Sequence, residues 1–204
     1  MKEIGGMGLD RTAVVTAALE LLDEAGLDKL TMRKVAERLG VRLNTVYWHA
    51  SSKPRLLELM ADTMLVGCAD APLPDSWDDR ACTLAHRYRA ALLSRRDGAR
   101  VVAGTYVAEE HTLRFADALT GAFLSGGHSA TEAGWRTWSL VYFTLGLTQE
   151  EQAAQGIGGM EPLLRAATAG RFPALAAVAG HFGDFEHRFR HGVGLIVRGR
   201  EASA

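Results

Sequence analysis

Apolar residues recur along this chain at three- and four-residue spacing, the pattern of helices with one buried face, and strand-like alternation is nowhere sustained. Val15, Ala18, Leu19 and Leu22 form the first stripe, with Asp10 placed to cap its start and Gly26 to end it in a left-handed conformation. Thr31 caps a short second helix, MRKVAERL, that stops at Gly40, and a third covers about Leu43 to His49. A fourth begins near Lys53 with Pro54 in its first turn, where a missing N–H costs nothing.

The segment Ala71 to Trp77 holds two prolines and marks the domain boundary, dividing the chain into 1–71 and 72–204. Ser76 with Asp79 has the spacing of a capping box and opens a helix to about Arg95. Gly98 and Gly104 bracket a short helix, and another runs from about Ala108 to Leu124 before Gly126-Gly127. Ser129 and Glu132 form a second capping box, opening a long apolar helix through Trp135, Trp138, Tyr142 and Phe143, four residues read as helix packing. Gly156 to Met160 reads as a loop, and a last helix spans about Phe182 to Arg198. The chain is therefore expected to be all-α, a small N-terminal three-helix unit followed by a larger helical one.

Met32 to His49 fit a helix-turn-helix position by position. Ala36 sits where two helices cross, Val35, Leu39, Val41 and Val46 supply a shared miniature core, and Gly40 falls at the turn where a positive φ is needed. Charge agrees locally. The chain as a whole carries a net −1, yet Arg33, Lys34, Arg38, Arg42, Lys53 and Arg55 stand against Glu37 alone between Thr31 and Arg55. That concentration suits a phosphate backbone, and Asn44, Thr45, Tyr47, Trp48 and His49 on the third helix can meet phosphates, base edges or thymine methyls. A helical hairpin with a solvated basic face is the plainer alternative, but it requires neither Ala36 nor Gly40 nor the aromatic run.

Composition narrows the class further. With 48% hydrophobic and 23% charged residues the chain is globular rather than disordered. Cys68 and Cys82 form no CxxC pair, and no signal peptide or membrane-length apolar run is visible, so a cytoplasmic protein with no membrane association is expected. There is no GxSxG, HExxH or carboxylate-rich helix pair, so no catalytic residue, cofactor or metal is assigned. His187 and His191, four apart, have metal-binding spacing but no third ligand nearby, and they read as surface or interface residues. Glu109-Glu110-His111 suits a helix start, where acidic residues favour the dipole, better than acid–base chemistry.

Residues 8–65, from GLDRT to DTML, resemble the DNA-binding domain of the tetracycline-repressor (TetR) family, with the YWH of Tyr47 to His49 a hallmark of the tetracycline repressors. The resemblance continues through LLSRRDGARV, Gly104-Thr105 and FTLGLTQEEQ (Phe143 to Gln152). It implies a homodimer that places each third helix in the major groove of a palindromic double-stranded DNA operator, with half-sites in multiples of ~34 Å. It also implies a small-molecule effector held in the larger, dimerising domain, and repression relieved when that effector binds. Arg33 resembles the family's base-reading arginine, while Thr45, Tyr47, Trp48, His49 and Lys53 resemble its thymine-methyl and phosphate contacts. Thr31, Arg42, Leu43 and Asn44 complete the candidate DNA set. Leu43 and Asn44 depart from the glutamine and proline of the tetracycline repressors, so a different operator is expected.

The resemblance thins at the effector site. The family's metal-coordinating histidine aligns with Val102, and three drug-contacting polar positions fall at Ala69, Leu84 and Ala118. Each lost partner strands part of a polar ligand at ~1–3 kcal/mol, which argues against tetracycline–magnesium. Thr105 and Glu150 keep their identity and Tyr88 keeps a ring. A more hydrophobic cavity for a polycyclic or aromatic effector is expected, anchored by Tyr88, Tyr106, His111 and Glu150, with Leu84, Val102, Thr105, Phe115, Ala118, Leu119 and Trp138 around it. The alternatives are a cavity filled by its own side chains, a tetracycline-type drug-responsive regulator of an efflux pump, and a helical enzyme or ligand-binding module with a vestigial helix-turn-helix. The fourth helix, Lys53 to about Val66, is the expected lever between the two domains. Helices around Trp138 and Leu195 would form the dimer's bundle, with Gly192 and Gly194 allowing close approach.

Overall fold

The structure, a computed structural model, describes residues 9–105, 108–156 and 159–199, and among these no strand occurs. The N-terminal unit is α1 (Arg11–Ala25), α2 (Met32–Leu39) and α3 (Leu43–His49), with a 3-10 turn at Leu27–Lys29, and α4 (Lys53–Met64) leads out of it. Asp10, Thr31 and Ser52 cap α1, α2 and α4 by accepting from the backbone N–H three residues on. Gly40 ends α2 at φ 66° and ψ 28°, the left-handed geometry that its place in the turn demands. Gly26 differs from expectation. It has positive φ (81°) but an extended ψ of 166°, so α1 ends by a sharp change of direction rather than a left-handed cap.

The rest comprises α5 (Trp77–Leu93), α6 (Gly98–Ala103), α7 (Glu110–Ser125), α8 (Ala130–Gly156), α9 (Glu161–Thr168), α10 (Pro173–Val178) and α11 (Phe185–Arg198), with a 3-10 turn at Ala179–His181. Ser129 caps α8 as expected, accepting from the Glu132 N–H at 3.2 Å. The Ser76 box does not form. Its hydroxyl instead donates to the Asp79 carboxylate at 2.8 Å and makes no bond to the backbone. The last helix starts at Phe185 rather than Phe182, because Ala179–His181 close a separate turn. Helices α9 and α10 have no counterpart in the sequence reading, and they bury almost nothing within this chain. The expected Gly156-to-Met160 loop lies partly outside the described residues, and Gly156 itself closes α8.

Two apolar clusters organise the molecule. One joins α1, α2, α3 and α4 and contains Val14, Leu22, Val35, Val46, Leu56 and Met60. The other joins α5, α7, α8 and α11 around Leu84, Leu92, Phe115, Phe123, Leu140 and Phe189. Short helix α6 serves both, with Val101 in the first and Ala99 in the second. Gly192 is also placed differently from expectation: a Cβ there would lie 2.1 Å from the Phe143 ring, so its close approach is inside the chain.

Candidate nucleic-acid interface and ligand cavity

The N-terminal unit holds its third helix by one fully buried side chain, Val46, with Leu43 packed on the edge of the same core. The opposite face of α3 therefore projects outward. Trp48 is 88% exposed and Tyr47 41%, a large cost in apolar exposure for a residue with no partner. Arg33, Arg42 and Asn44 are likewise exposed, while Thr45, His49 and Lys53 are half-buried on the flank. Thr31 is exposed, but its hydroxyl already accepts from the Lys34 N–H at 3.2 Å. The local charge excess is smaller than the sequence count. Arg38 turns back to Glu20 and Glu24 on α1, and Arg55 pairs with Glu58 at 2.8 Å and Glu109 at 2.5 Å. Arg33, Lys34, Arg42 and Lys53 form no ion pair with a carboxylate among the described residues, so their charge is left uncompensated on this face.

Polar contacts fasten this unit to the corner between α5 and α6. Arg95 reaches Asp23 at 2.5 Å, the Arg96 N–H donates to Asp23 at 3.1 Å, and Arg100 pairs with Asp28 at 2.9 Å. Asp97 accepts from the Leu27 N–H at 2.8 Å while itself held at φ 55°, a costly conformation for a residue with a side chain. A side chain at Gly26 would place its Cβ 3.0 Å from that same carboxylate, so both the positive φ and the close approach require glycine there.

On the far side of α6 lies a cavity of about 420 Å³. Five of the expected effector residues line it: Tyr88, Val102, Thr105, Phe115 and Trp138. Its walls are aromatic in pairs. Tyr88 stacks on Phe115 with centroids 4.9 Å apart, and Trp138 stacks on Tyr142 at 5.9 Å, both pairs inclined by 23°. None of the lining side chains carries a formal charge at neutral pH, and none is His, Cys, Asp or Glu. The Tyr88 hydroxyl makes no hydrogen bond among the described residues, and burial pushes its pKa far above the usual phenol value, so it is a neutral donor. Thr105 donates to the Val102 carbonyl at 2.9 Å, and Thr112 donates to Asp62 at 3.0 Å.

The remaining expected residues are elsewhere. Leu84 and Leu119 are fully buried in the second core, beneath the cavity wall rather than on it. Ala118 faces a separate hollow with Arg80 and Asp117. Glu150 is drawn off by Arg188 at 3.0 Å, and His111 stands on the first turn of α7 outside the lining. Tyr106 lies outside the described residues. The sequence reading missed Ala61 and Leu65 of the α4 segment, Thr112, and Tyr142. Tyr142 was findable, since it lies four residues after Trp138 and shares its helix face. Of the α8 aromatics read as packing residues, Trp135, Trp138 and Tyr142 are 71%, 52% and 63% exposed in the single chain. His187 bonds Asp184 at 2.7 Å, and no cluster of three metal-capable side chains occurs among the described residues. No helix among them is long and apolar enough to cross a membrane.

Comparison with known proteins places these features together. Residues 14–60 match the family described as bacterial regulatory proteins, tetR family, and residues 71–204 match the tetracyclin repressor-like C-terminal domain. The class C tetracycline repressor protein of Escherichia coli is 36% identical, over 95% of this chain and 91% of that protein. A possible TetR family transcriptional regulator from Streptomyces coelicolor has a crystal structure that superposes with a TM-score of 0.87. It is 41% identical and covers 96% of this chain and 100% of that one. ActR from the same organism, crystallised in complex with actinorhodin, superposes at 0.80 with 26% identity, over 94% of this chain and 96% of that one.

Proposed function

The chain belongs to the TetR family of bacterial transcriptional regulators, and from that premise we propose that it is a homodimeric repressor released from a palindromic operator by a small, neutral aromatic effector. The observation that carries the effector class is the cavity wall, two stacked aromatic pairs with no charged group among the lining residues. Burying a flat apolar ligand there contributes roughly 25 cal/mol per Å² of apolar surface removed from water. An anion or cation would lose its hydration without a counter-charge. The Tyr88 phenol can donate, and the Thr112 oxygen can accept, so one or two polar substituents would orient such a ligand.

In this proposal residues 1–71 read DNA and residues 72–204 bind effector and dimerise. Arg33 and Asn44 meet base edges; Thr31, Arg42, Thr45, Tyr47, Trp48, His49 and Lys53 meet the backbone and thymine methyls, with Leu43 at the margin. The exposed Trp135 on α8 and Leu195 on α11 support a second copy as the partner of that face. Similarity to tetracycline repressors favours a second reading, response to a tetracycline-type drug. The lining does not fit a magnesium chelate, because Val102 and its neighbours offer no imidazole, carboxylate or thiolate.

The test pairs two titrations. N-phenyl-1-naphthylamine, a neutral aromatic fluorophore, should bind without any magnesium dependence, and it should weaken binding to palindromic duplex DNA from the flanks of the protein's own gene. Ala116→Trp, which fills the cavity, should abolish the fluorophore response while leaving DNA binding intact. Fluorophore binding that ignores Ala116→Trp would refute the effector assignment. Absence of any salt-sensitive preference for a palindrome would refute the repressor assignment.

A further inference from the structure

We propose that Asp62 is a positioning residue that couples the effector cavity to the DNA-contacting helix, by capping α7 from α4. The proposal rests on the cavity being the effector site. Helix α7 begins without a cap of its own: Glu109, at its N-cap position, makes no side-chain bond to the first-turn amides and is turned instead to Arg55 at 2.5 Å. Those amides need an acceptor, which a neighbouring residue of the same helix normally supplies. Here Asp62, fifty residues earlier in the chain, supplies it. Its Oδ1 accepts from the Thr112 N–H at 2.8 Å and from the Thr112 hydroxyl at 3.0 Å.

Thr112 is also part of the cavity lining. One carboxylate oxygen on α4 therefore holds both the backbone and the side chain of a ligand-facing residue. The link is doubled, because Arg55 and Asp62 are two helical turns apart on α4 and engage Glu109 and Thr112, one turn apart at the start of α7. The first turn of α7 cannot shift against α4 without leaving a backbone N–H unpaired and Glu109 separated from its arginine. A ligand that displaces this part of the wall moves α4, and α4 begins at Lys53 beside the DNA-reading helix. The Thr112 hydroxyl spends its hydrogen on Asp62, so toward the cavity it presents only acceptor lone pairs. It suits a ligand bearing an N–H or O–H.

The experiment measures the duplex Kd of the full chain with and without saturating N-phenyl-1-naphthylamine, and the fluorophore Kd separately. In the unaltered protein the fluorophore should raise the duplex Kd about tenfold, within the usual range of allosteric coupling. In Asp62→Ala that ratio should fall to about threefold or less, with the fluorophore Kd changed by less than about threefold. Asp62→Asn keeps an acceptor and should retain most of the ratio. Glu109→Gln, which weakens the second link, should lower the ratio in the same direction and guards against poor folding of the alanine variant. A full ratio in Asp62→Ala would overturn the proposal, as would a ratio lost only together with fluorophore binding. If Ala116→Trp leaves fluorophore binding unchanged in the otherwise unaltered protein, the cavity assignment has failed, and this coupling fails with it.

Discussion

Substituting Gly192 by alanine tests whether the α8–α11 contact is set inside the chain. The added Cβ would stand 2.1 Å from Phe143 Cζ and 2.6 Å from both ring carbons beside it. Carbon atoms in contact prefer about 3.5–4.0 Å, so the ring or the helix must move by roughly 1.5 Å. The ring cannot move freely, because it lies nearly parallel (10°) to the fully buried Phe189, centroids 6.4 Å apart. Overpacking of this kind costs about 1–3 kcal/mol, and the better helix propensity of alanine returns about 1 kcal/mol. A net loss of up to about 2 kcal/mol follows, which lowers Tm by about 2–4 °C per kcal/mol in a chain of this size. Gly194, two residues on, has nothing within 4 Å of its notional Cβ, so the same substitution there should be neutral or stabilising in the single chain. Thermal melts followed by circular dichroism compare the two. Phe143→Leu should remove most of the Gly192→Ala penalty, giving a coupling of about 1 kcal/mol in a double-mutant cycle. A Gly192→Ala protein that melts at or above the parent, or a penalty that survives Phe143→Leu, would refute the packing argument. A concentration-dependent loss at Gly194→Ala alone would show a second chain covering that face.

Two other predictions concern charge and exposure. Trp48→Ala removes a side chain that is 88% exposed, so unfolding should change by less than about 0.5 kcal/mol while duplex affinity, read by fluorescence anisotropy, falls roughly five- to tenfold or more; unchanged affinity would take Trp48 out of the interface. On the acid side, burial pushes the Glu186 carboxyl up, but Arg89 and Arg190 together hold it below its ordinary 4.5, and the Arg136 hydrogen bond does the same for Glu132. Carboxylates with depressed folded-state pKa values stabilise above the unfolded value and lose that contribution as pH falls through the folded one, so urea midpoints should be flat near neutrality and drop below about pH 4.5. Arg89→Met should lower the neutral midpoint and shallow the acid drop, and an unaltered acid slope would refute the role given to Arg89.

The helix-turn-helix was legible in the sequence because its constraints are local. Thr31, Ala36, Gly40 and Val46 lie within sixteen residues, and each has one geometric job that few residue types can do. The ion pairs were not legible, since Arg38 is neutralised by Glu20 and Glu24 from a different helix and nothing in the spacing reveals which cation is spent. The cavity was half legible for the same reason. Tyr88, Val102, Thr105, Phe115 and Trp138 came through, but Leu84 and Leu119 point into the core, and Glu150 is claimed by Arg188 from α11. Helices α9 and α10 escaped because they are only eight and six residues long, too short for a helical period to repeat convincingly.

What joins the legible and illegible parts is the length of α4. Leu65, at its C-cap, lies on the cavity, as does Ala61, while Lys53 at its first turn follows the end of α3 by four residues. The twelve steps between Lys53 and Leu65 span about 18 Å at 1.5 Å per residue. A tilt of only about 5° about the cavity end would carry the Lys53 end about 1.6 Å over that length. A hydrogen bond at 2.9 Å does not survive such a shift, and two α3 helices in a dimer would change their separation by up to about twice that amount. On the mechanism proposed above, the cavity needs to supply only a small displacement for operator contacts to fail. In that proposal the contacts that set its size tie α4 to the start of α7: Asp62 with Thr112 toward the cavity end, and Arg55 with Glu109 toward the α3 end.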